Sequence, residues 1–145
     1  METHIQALLA DSKIEYYNKI PAISIKASLN GNIPEIGTIA KHSHNAAIEI
    51  ICHGLSMLLG FLGLNKIMSP EQIVKTAEFL LEDYPDIPID ALKLFFRNVA
   101  KGRYGEMYGS IDGQKILVWF SQFYNEYLNT LIDEKMNEHE QTKKW

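Results

Sequence analysis

The second half of the chain carries helix signals that leave little room for a β-fold. Ser69-Pro70-Glu71-Gln72 has the pattern of a capping box, in which Ser69 caps a helix, Pro70 takes its first position and Gln72 reaches back to the cap. Apolar residues follow at helical spacing: Ile73, Ala77, Leu80 and Leu81. This pattern predicts an α-helix that begins directly after Ser69.

Two more helices are predicted further along. Pro85 and Pro88 interrupt the chain, and the next helix has an apolar face that ends before Gly102, a residue suited to follow a last helical turn. Asp112 is placed to cap a long final helix. The apolar face of the first is Leu92, Phe95, Phe96 and Val99, and the stripe of the second is Ile116, Phe120, Phe123, Tyr127 and Leu131.

The first half is less clearly marked. Residues 1–20 have a partial apolar stripe that predicts a helix, whereas 22–34 is interpreted as a loop with a short extended piece. One helical turn is predicted over 36–40. We expect Asn45 to cap an apolar helix over 46–64.

That apolar segment approaches the length needed to cross a bilayer, since 46–64 is 19 residues long. Glu49 lies in its first third, it contains three glycines, and no basic anchors flank it. These features favour a buried central helix, and we expect no membrane interaction.

The helix signals together predict an all-α fold. We expect a single domain over residues 1–145, built from four to five helices with a long C-terminal helix. Residues 1–20 would form a loosely attached helix, and 133–145 a polar tail. Cys52 is the single cysteine, and the first residues lack a basic start followed by an apolar run, so we expect a cytoplasmic protein.

Positive charge is concentrated in one short window. The chain has 14 basic and 18 acidic residues and a net charge of −4, yet Lys93–Arg103 contains four basic residues and no acidic one. Outside that window 10 basic residues face 18 acidic ones, so the remainder has a charge of −8. Lys93, Arg97 and Lys101 are spaced i, i+4, i+8 and lie on one side of a helix, and Arg103 extends the stripe.

This basic face predicts a binding surface for nucleic acid or for an acidic partner. A row of cations can contact several phosphates, and Tyr104 and Tyr108, in a glycine-spaced loop, can stack on bases. Lys115 adds a further charge. The same residues have a structural interpretation, because cations late in a helix stabilise its negative end and tyrosines cover the edge of a core. Both interpretations stay open at this stage.

No catalytic or metal-binding pattern is visible. The glycines after Arg103 do not match a phosphate-binding loop. His42, His44, His53 and Cys52 lack the spacings of metal ligands, and no nucleophile is paired with a base. We expect no metal, no cofactor and no enzymatic activity.

The final helix is rich in aromatic residues, with five between positions 119 and 127. Their number exceeds what one side of a helix can bury against a small domain. Because tyrosine and tryptophan are common in interfaces, Trp119, Phe123 and Tyr127 are predicted to form a surface for a protein partner or for a homo-oligomer.

The second half of the chain contains an ordered series of short motifs: M68-S-P-E-Q-I73, L81-E-D-Y-P85, D90-A-L-K-L-F-F96, K101-G-R-Y-G105, Y108 and D112-G-Q-K-I-L-V-W119. This series resembles a family of uncharacterised small proteins from Bacteroides-type bacteria and their phages. The resemblance covers residues 65–130 and implies a bacterial host cell but no particular chemistry. A looser similarity links the E-x-Y-P segment at Glu82–Pro85 to phage loaders of the replicative helicase.

Two functional hypotheses follow from these similarities. The first is a non-enzymatic phage or mobile-element accessory protein, related in role to helicase loaders, which binds DNA or a partner such as a helicase through the basic face. The second is a phage protein–protein interaction module, either a virion component or an inhibitor of a host or defence protein, which binds no nucleic acid.

Overall fold

Seven α-helices form the regular structure of residues 13–64, 67–105 and 110–143, which are the residues that the computed structural model describes. No β-strand occurs in these ranges, and the predicted all-α class is confirmed. Three helices have seven residues or fewer, so the number of long helices is four. In chain order the helices are α1 Lys13–Lys19, α2 Ile25–Ser28, α3 Ile36–His42, α4 His44–Leu62, α5 Pro70–Asp83, α6 Ile89–Ala100 and α7 Gly113–Lys143.

Helix α4 is the centre of the domain and packs against α1, α3, α5 and α6. It begins two residues earlier than predicted because Ser43, and not Asn45, is the cap: the Ser43 hydroxyl accepts a hydrogen bond from the amide of Ala46 at 3.2 Å. Gly63 ends the helix in the left-handed conformation, with a φ of 57°. The buried face consists of Ala46, Ala47, Ile50, Ile51, Gly54, Leu55, Leu58 and Leu59.

Within the described ranges, α4 is the one helix long and apolar enough to cross a membrane by length and composition. Core helices of globular domains meet the same criterion, and 44% of its most apolar window is buried inside the domain. The helix packs against four other helices of the domain.

The helix signals of the second half are present as predicted. The capping box of α5 is complete: the Ser69 hydroxyl accepts from the Gln72 amide at 3.2 Å, and the Gln72 side chain accepts from the Ser69 amide at 2.8 Å. At the start of α7 the Asp112 carboxylate accepts from the Lys115 amide at 2.8 Å. Gly102 has a φ of 75° directly after the last turn of α6.

The segment 22–34 was predicted as a loop with a short extended piece. The backbone of Ser24 is extended, but the helical turn that follows it was not predicted. The chain there forms α2, a single turn capped by Ser24, whose hydroxyl accepts from the Ala27 amide at 3.1 Å. Helix α2 contacts both α6 and α7. The alternation of Ile23, Ser24 and Ile25 arises because the middle residue is a helix cap, so it is not a strand pattern.

Backbone hydrogen bonds join α3 to the connection between α5 and α6. The Ile36 amide donates to the Ile87 carbonyl at 2.8 Å, and the Gly37 amide donates to the Pro85 carbonyl at 2.7 Å. A Cβ atom at Gly37 would lie 2.6 Å from that same carbonyl oxygen. The first and second halves of the chain therefore meet at a backbone-to-backbone contact that requires glycine at this position.

Aromatic side chains of α6 and α7 fill the core between these helices. Phe95 contacts Phe120 at 4.8 Å and Phe123 at 5.6 Å between ring centroids. The exposed fractions of Trp119, Phe123 and Tyr127 are 8%, 0% and 6%. The prediction that these three residues form a partner surface is wrong, because α2 and α5 pack on α7 and Phe95 of α6 contacts it as well, which covers more of α7 than a single apolar stripe suggested.

The described residues near both chain ends are helical. Of the helix predicted over 1–20, residues 13–19 are helical, Ile20 lies just after the helix, and 1–12 are outside the described residues. At the other end α7 continues through the predicted polar tail as far as Lys143, with side chains that are mostly exposed from Ile132 to Glu140.

Candidate functional site: a basic cleft

Lys93, the first residue of the predicted basic face, holds the N-terminal segment on α6. Its Nζ atom donates to the carbonyl oxygens of Tyr17, Asn18 and Ile20 at 3.0, 3.2 and 2.8 Å. It also lies 5.0 Å from the centre of the Tyr17 ring. Burial, and to a smaller extent Arg97, lower the pKa of its ammonium group. Because α1 ends at Lys19, this ammonium caps the negative end of that helix.

Arg97, one turn later on α6, continues the same attachment. Its Nη1 atom donates to the Ala22 carbonyl at 2.8 Å, while the side chain as a whole stays exposed. Two of the four predicted cations thus carry a structural role: they satisfy backbone carbonyls in the last turn of α1 and in the chain between α1 and α2.

Lys101 and Arg103 are exposed, and among the described residues no side-chain hydrogen bond or ion pair engages either of them. Backbone hydrogen bonds fix their position: the Arg103 amide donates to the Asn98 carbonyl and the Gly102 amide to the Val99 carbonyl, each at 3.0 Å. This is the Schellman arrangement, which ends α6 and turns the chain at Gly102. Both cations therefore project near the negative end of α6.

The aromatic part of the predicted site is mainly structural. The Tyr104 ring is half-buried, lies 5.7 Å from Phe95 and 6.4 Å from Trp119, and its hydroxyl accepts from the Asn98 side chain at 3.4 Å. Burial raises the pKa of the Tyr104 hydroxyl. Lys115 lies over the Trp119 ring at 5.9 Å. Tyr104 thus covers the core edge, and Tyr108 lies outside the described residues.

The exposed cations open onto a cleft of about 360 Å³ between α2, α6 and α7, which we call the basic cleft. Two elements that the sequence pattern did not connect to the basic face contribute to it: Lys26 from α2, and Glu126 and Thr130 from α7. Lys26 is also 3.5 Å from Glu134. The polar residues that line the cleft are Ser24, Lys26, Arg97, Asn98, Lys101, Arg103, Glu126 and Thr130.

The chemistry of the basic cleft is that of an anion site. Four cations and one carboxylate line it, which gives a local charge of +3 in a chain of net charge −4. No histidine or cysteine lines it, and in the described part of the chain no group of three or more metal-ligating side chains is assembled. The cleft is equipped to hold negative charge through guanidinium and ammonium groups.

The residues on α2 and α7 were missed because nothing local in their sequence marks them. Lys26 lies 71 positions before Arg97, and Thr130 lies 33 positions after it, as the numbering shows. Only the docking of α2 on both α6 and α7 brings them together. The capping pattern at Ser24 was the one signal that could have placed α2 here.

Fold and site together define an all-α domain with a basic cleft. The family described as "Family of unknown function (DUF6633)" matches residues 69–144, just over half of the chain, and the protein belongs to that family. The matched region contains α5, α6 and α7. No curated protein and no solved structure shows significant similarity to the chain.

Proposed function

We propose that this protein is a non-enzymatic accessory protein that binds the phosphate backbone of DNA through the basic cleft. The observation that carries the proposal is the convergence of Lys26, Arg97, Lys101 and Arg103 on one cleft in an otherwise acidic chain. Phosphate contacts of this kind supply affinity without sequence readout.

The arrangement of the cleft also suits an extended backbone better than a single anion. Its cations come from α2, from α6 and from the turn after α6, so they are spread along the cleft. Two of them, Lys101 and Arg103, have no structural partner among the described residues and are available to a ligand. Glu126, which also lines the cleft, would restrict how closely a second strand approaches.

The test is fluorescence anisotropy with labelled single-stranded and duplex DNA of 20 nucleotides, titrated with the full chain at several salt concentrations. With about three phosphates neutralised, we expect the logarithm of the affinity to fall with log salt with a slope of about −2 to −3. The double variant Lys101→Gln/Arg103→Gln should lose affinity and show a slope about 1 to 2 smaller in magnitude.

The matched control also removes two positive charges, but at positions outside the basic cleft. Lys41→Gln/Lys135→Gln removes two exposed cations outside the cleft and should leave binding unchanged. Lys93 and Arg97 are unsuitable for this purpose because they hold the N-terminal segment. If the Lys101/Arg103 variant is folded and binds both DNA forms like the parent, DNA binding by this cleft is refuted.

We further propose a setting in a phage or mobile element, with a role like that of helicase loaders. The support is the motif resemblance and the E-x-Y-P segment, which joins α5 to α6, where Tyr84 packs on Phe120 at 4.6 Å. A purified replicative helicase added to the DNA-bound protein should form a ternary complex. If none of a panel of phage and host helicases forms such a complex, this role is opposed.

The alternative is a phage protein–protein interaction module without nucleic-acid binding. Its support is a second surface, on α4, where Met57 and Phe61 have exposed fractions of 52% and 71%. Absence of DNA binding, together with association with a protein partner that is insensitive to salt, would favour this alternative.

A further inference from the structure

A second concave surface lies between α4 and α6, away from the exposed ends of the basic stripe. It is a groove of about 190 Å³ whose walls include Met57 and Phe61 on one side and Phe96 and Ala100 on the other. An apolar cavity of about 150 Å³ is large enough for a benzene molecule, so this groove accommodates one large apolar side chain.

The apolar walls of this groove are exposed to an unusual degree. Phe61 is 71% exposed and Met57, one turn before it on α4, is 52% exposed. Between them and α6 the floor is Gly54, where a Cβ atom would lie 2.5 Å from the Phe96 ring. Adjacent exposed apolar side chains around a depression mark an interaction surface, in contrast to single scattered ones.

The rim of the groove is positive. Lys93 and Arg97 line it along α6, and their charges persist although their hydrogen bonds go to backbone carbonyls. An occupant that complements this surface must carry an apolar stripe and negative charge.

The same chain presents a segment with that chemistry at the end of α7. Ile132 and Met136, four residues apart and therefore on one side of the helix, are 53% and 59% exposed. Between positions 132 and 140 there are four acidic residues and one lysine, a charge of −3. Within its own protomer this end of α7 is held near α2, by the pair of Glu134 with Lys26.

We propose that the groove between α4 and α6 binds the end of α7 of a second copy of this chain. Met136 would fill the groove between the wall of Met57 and Phe61 and the wall of Phe96 and Ala100. Ile132 would cover the edge of the groove, and the acidic residues would face Lys93 and Arg97. An exchange in both directions closes a two-fold dimer. This inference does not depend on DNA binding, because it uses neither Lys101 nor Arg103.

Sedimentation velocity of the full chain over a wide concentration range at low salt tests the proposal. We expect reversible association from the 16.6 kDa monomer towards twice that mass, weakened by added salt. Phe61→Ser on the groove and Met136→Ser on the helix should each abolish association. Both side chains are largely exposed, so both variants should fold, as circular dichroism will check.

A mixture of the two variants makes the test decisive. Phe61→Ser retains an intact α7 end, and Met136→Ser retains an intact groove, so the mixture regains one native contact and should associate again. Val118→Ser, at a 52% exposed position on α7 outside the groove, should associate like the parent. A monomer at every concentration, association that ignores both variants, or a mixture that stays monomeric would each overturn the proposal.

Discussion

Replacing Lys93 by methionine should release the N-terminal segment from the domain. Methionine keeps the apolar stem of the side chain and removes the ammonium that donates to the carbonyls of Tyr17, Asn18 and Ile20. The substitution therefore isolates the contribution of the charged group from that of packing.

The expected loss follows from the surroundings of each acceptor. The carbonyls of Tyr17 and Ile20 are partly buried, and losing a donor to each costs about 1–1.5 kcal/mol. The Asn18 carbonyl is exposed, so water replaces the lost bond at little cost. The contact of the ammonium with the Tyr17 ring adds about 0.5–1 kcal/mol. The total is about 2.5–4 kcal/mol.

Hydrogen exchange measured by mass spectrometry shows where this free energy is lost. Amides of residues 14–22 should exchange roughly two orders of magnitude faster in Lys93→Met, because each 1.4 kcal/mol is tenfold. Of the two tryptophans, Trp119 lies in the core, so urea unfolding followed by the change in tryptophan fluorescence monitors the core. The loss of unfolding free energy measured in this way should be smaller if the segment detaches before the core unfolds.

The matched control is Lys101→Met, two turns along the same helix at an exposed position. Its effect should stay within about 0.5 kcal/mol, as for surface substitutions in general. If Lys93→Met changes exchange in residues 14–22 no more than Lys101→Met does, the ammonium does not hold the segment and the reasoning is refuted.

Three further predictions concern stability. Gly37→Ala should destabilise by about 1–3 kcal/mol in urea unfolding, because its Cβ would lie 2.6 Å from the Pro85 carbonyl oxygen, and a loss below 0.3 kcal/mol would contradict this contact. Tyr124→Phe should cost about 1 kcal/mol, since the hydroxyl donates to the Asp86 carboxylate at 2.7 Å, and equal midpoints for parent and variant would argue against that bond. Burial raises the pKa of Asp90, so its carboxyl binds a proton more tightly in the folded state than in the unfolded state. The contribution of Asp90 to stability therefore falls as the pH rises from about 4. Asp90→Asn should gain stability relative to the parent over that rise, and a difference between the two proteins that does not change with pH would refute the effect.

The helices of the second half could mostly be predicted from local sequence signals. The capping box at Ser69, the cap at Asp112 and the left-handed Gly102 each involve residues within five positions, so their geometry follows from the adjacent sequence. The apolar stripes likewise identified the buried faces of α6 and α7. These features are predictable because the interactions that form them are local.

The prediction failed where burial depends on distant parts of the chain. Trp119 lies outside the main stripe of α7, yet it is 8% exposed because Tyr104 from the loop after α6 stacks beside it. In α2, Ser24 has one local capping bond, but the docking of this turn on α6 and α7 decides that the segment is helical. Periodicity describes one helix face and says nothing about how many neighbours surround it.

The basic face shows why charge spacing alone could not identify the candidate site. Lys93 and Arg97 have the same spacing as Arg97 and Lys101, but the first pair bonds to the N-terminal segment and Lys101 stays exposed. The difference is set by contacts 73 to 76 residues apart along the chain. The sequence therefore identified a cationic helix face. It could not distinguish the cations that bond to the N-terminal segment from those that stay exposed.

The contacts of Lys93 and Arg97 join the region matched by the family to a segment that precedes it. The family match begins at residue 69, so Lys93 and Arg97 belong to the matched region while the segment they hold does not. Both donate to backbone carbonyls, which every residue provides, and not to particular side chains. These carbonyl contacts by themselves therefore place weak demands on the sequence of the segment. The apolar contacts of Tyr17 and Ile20 with the core remain its main sequence requirement.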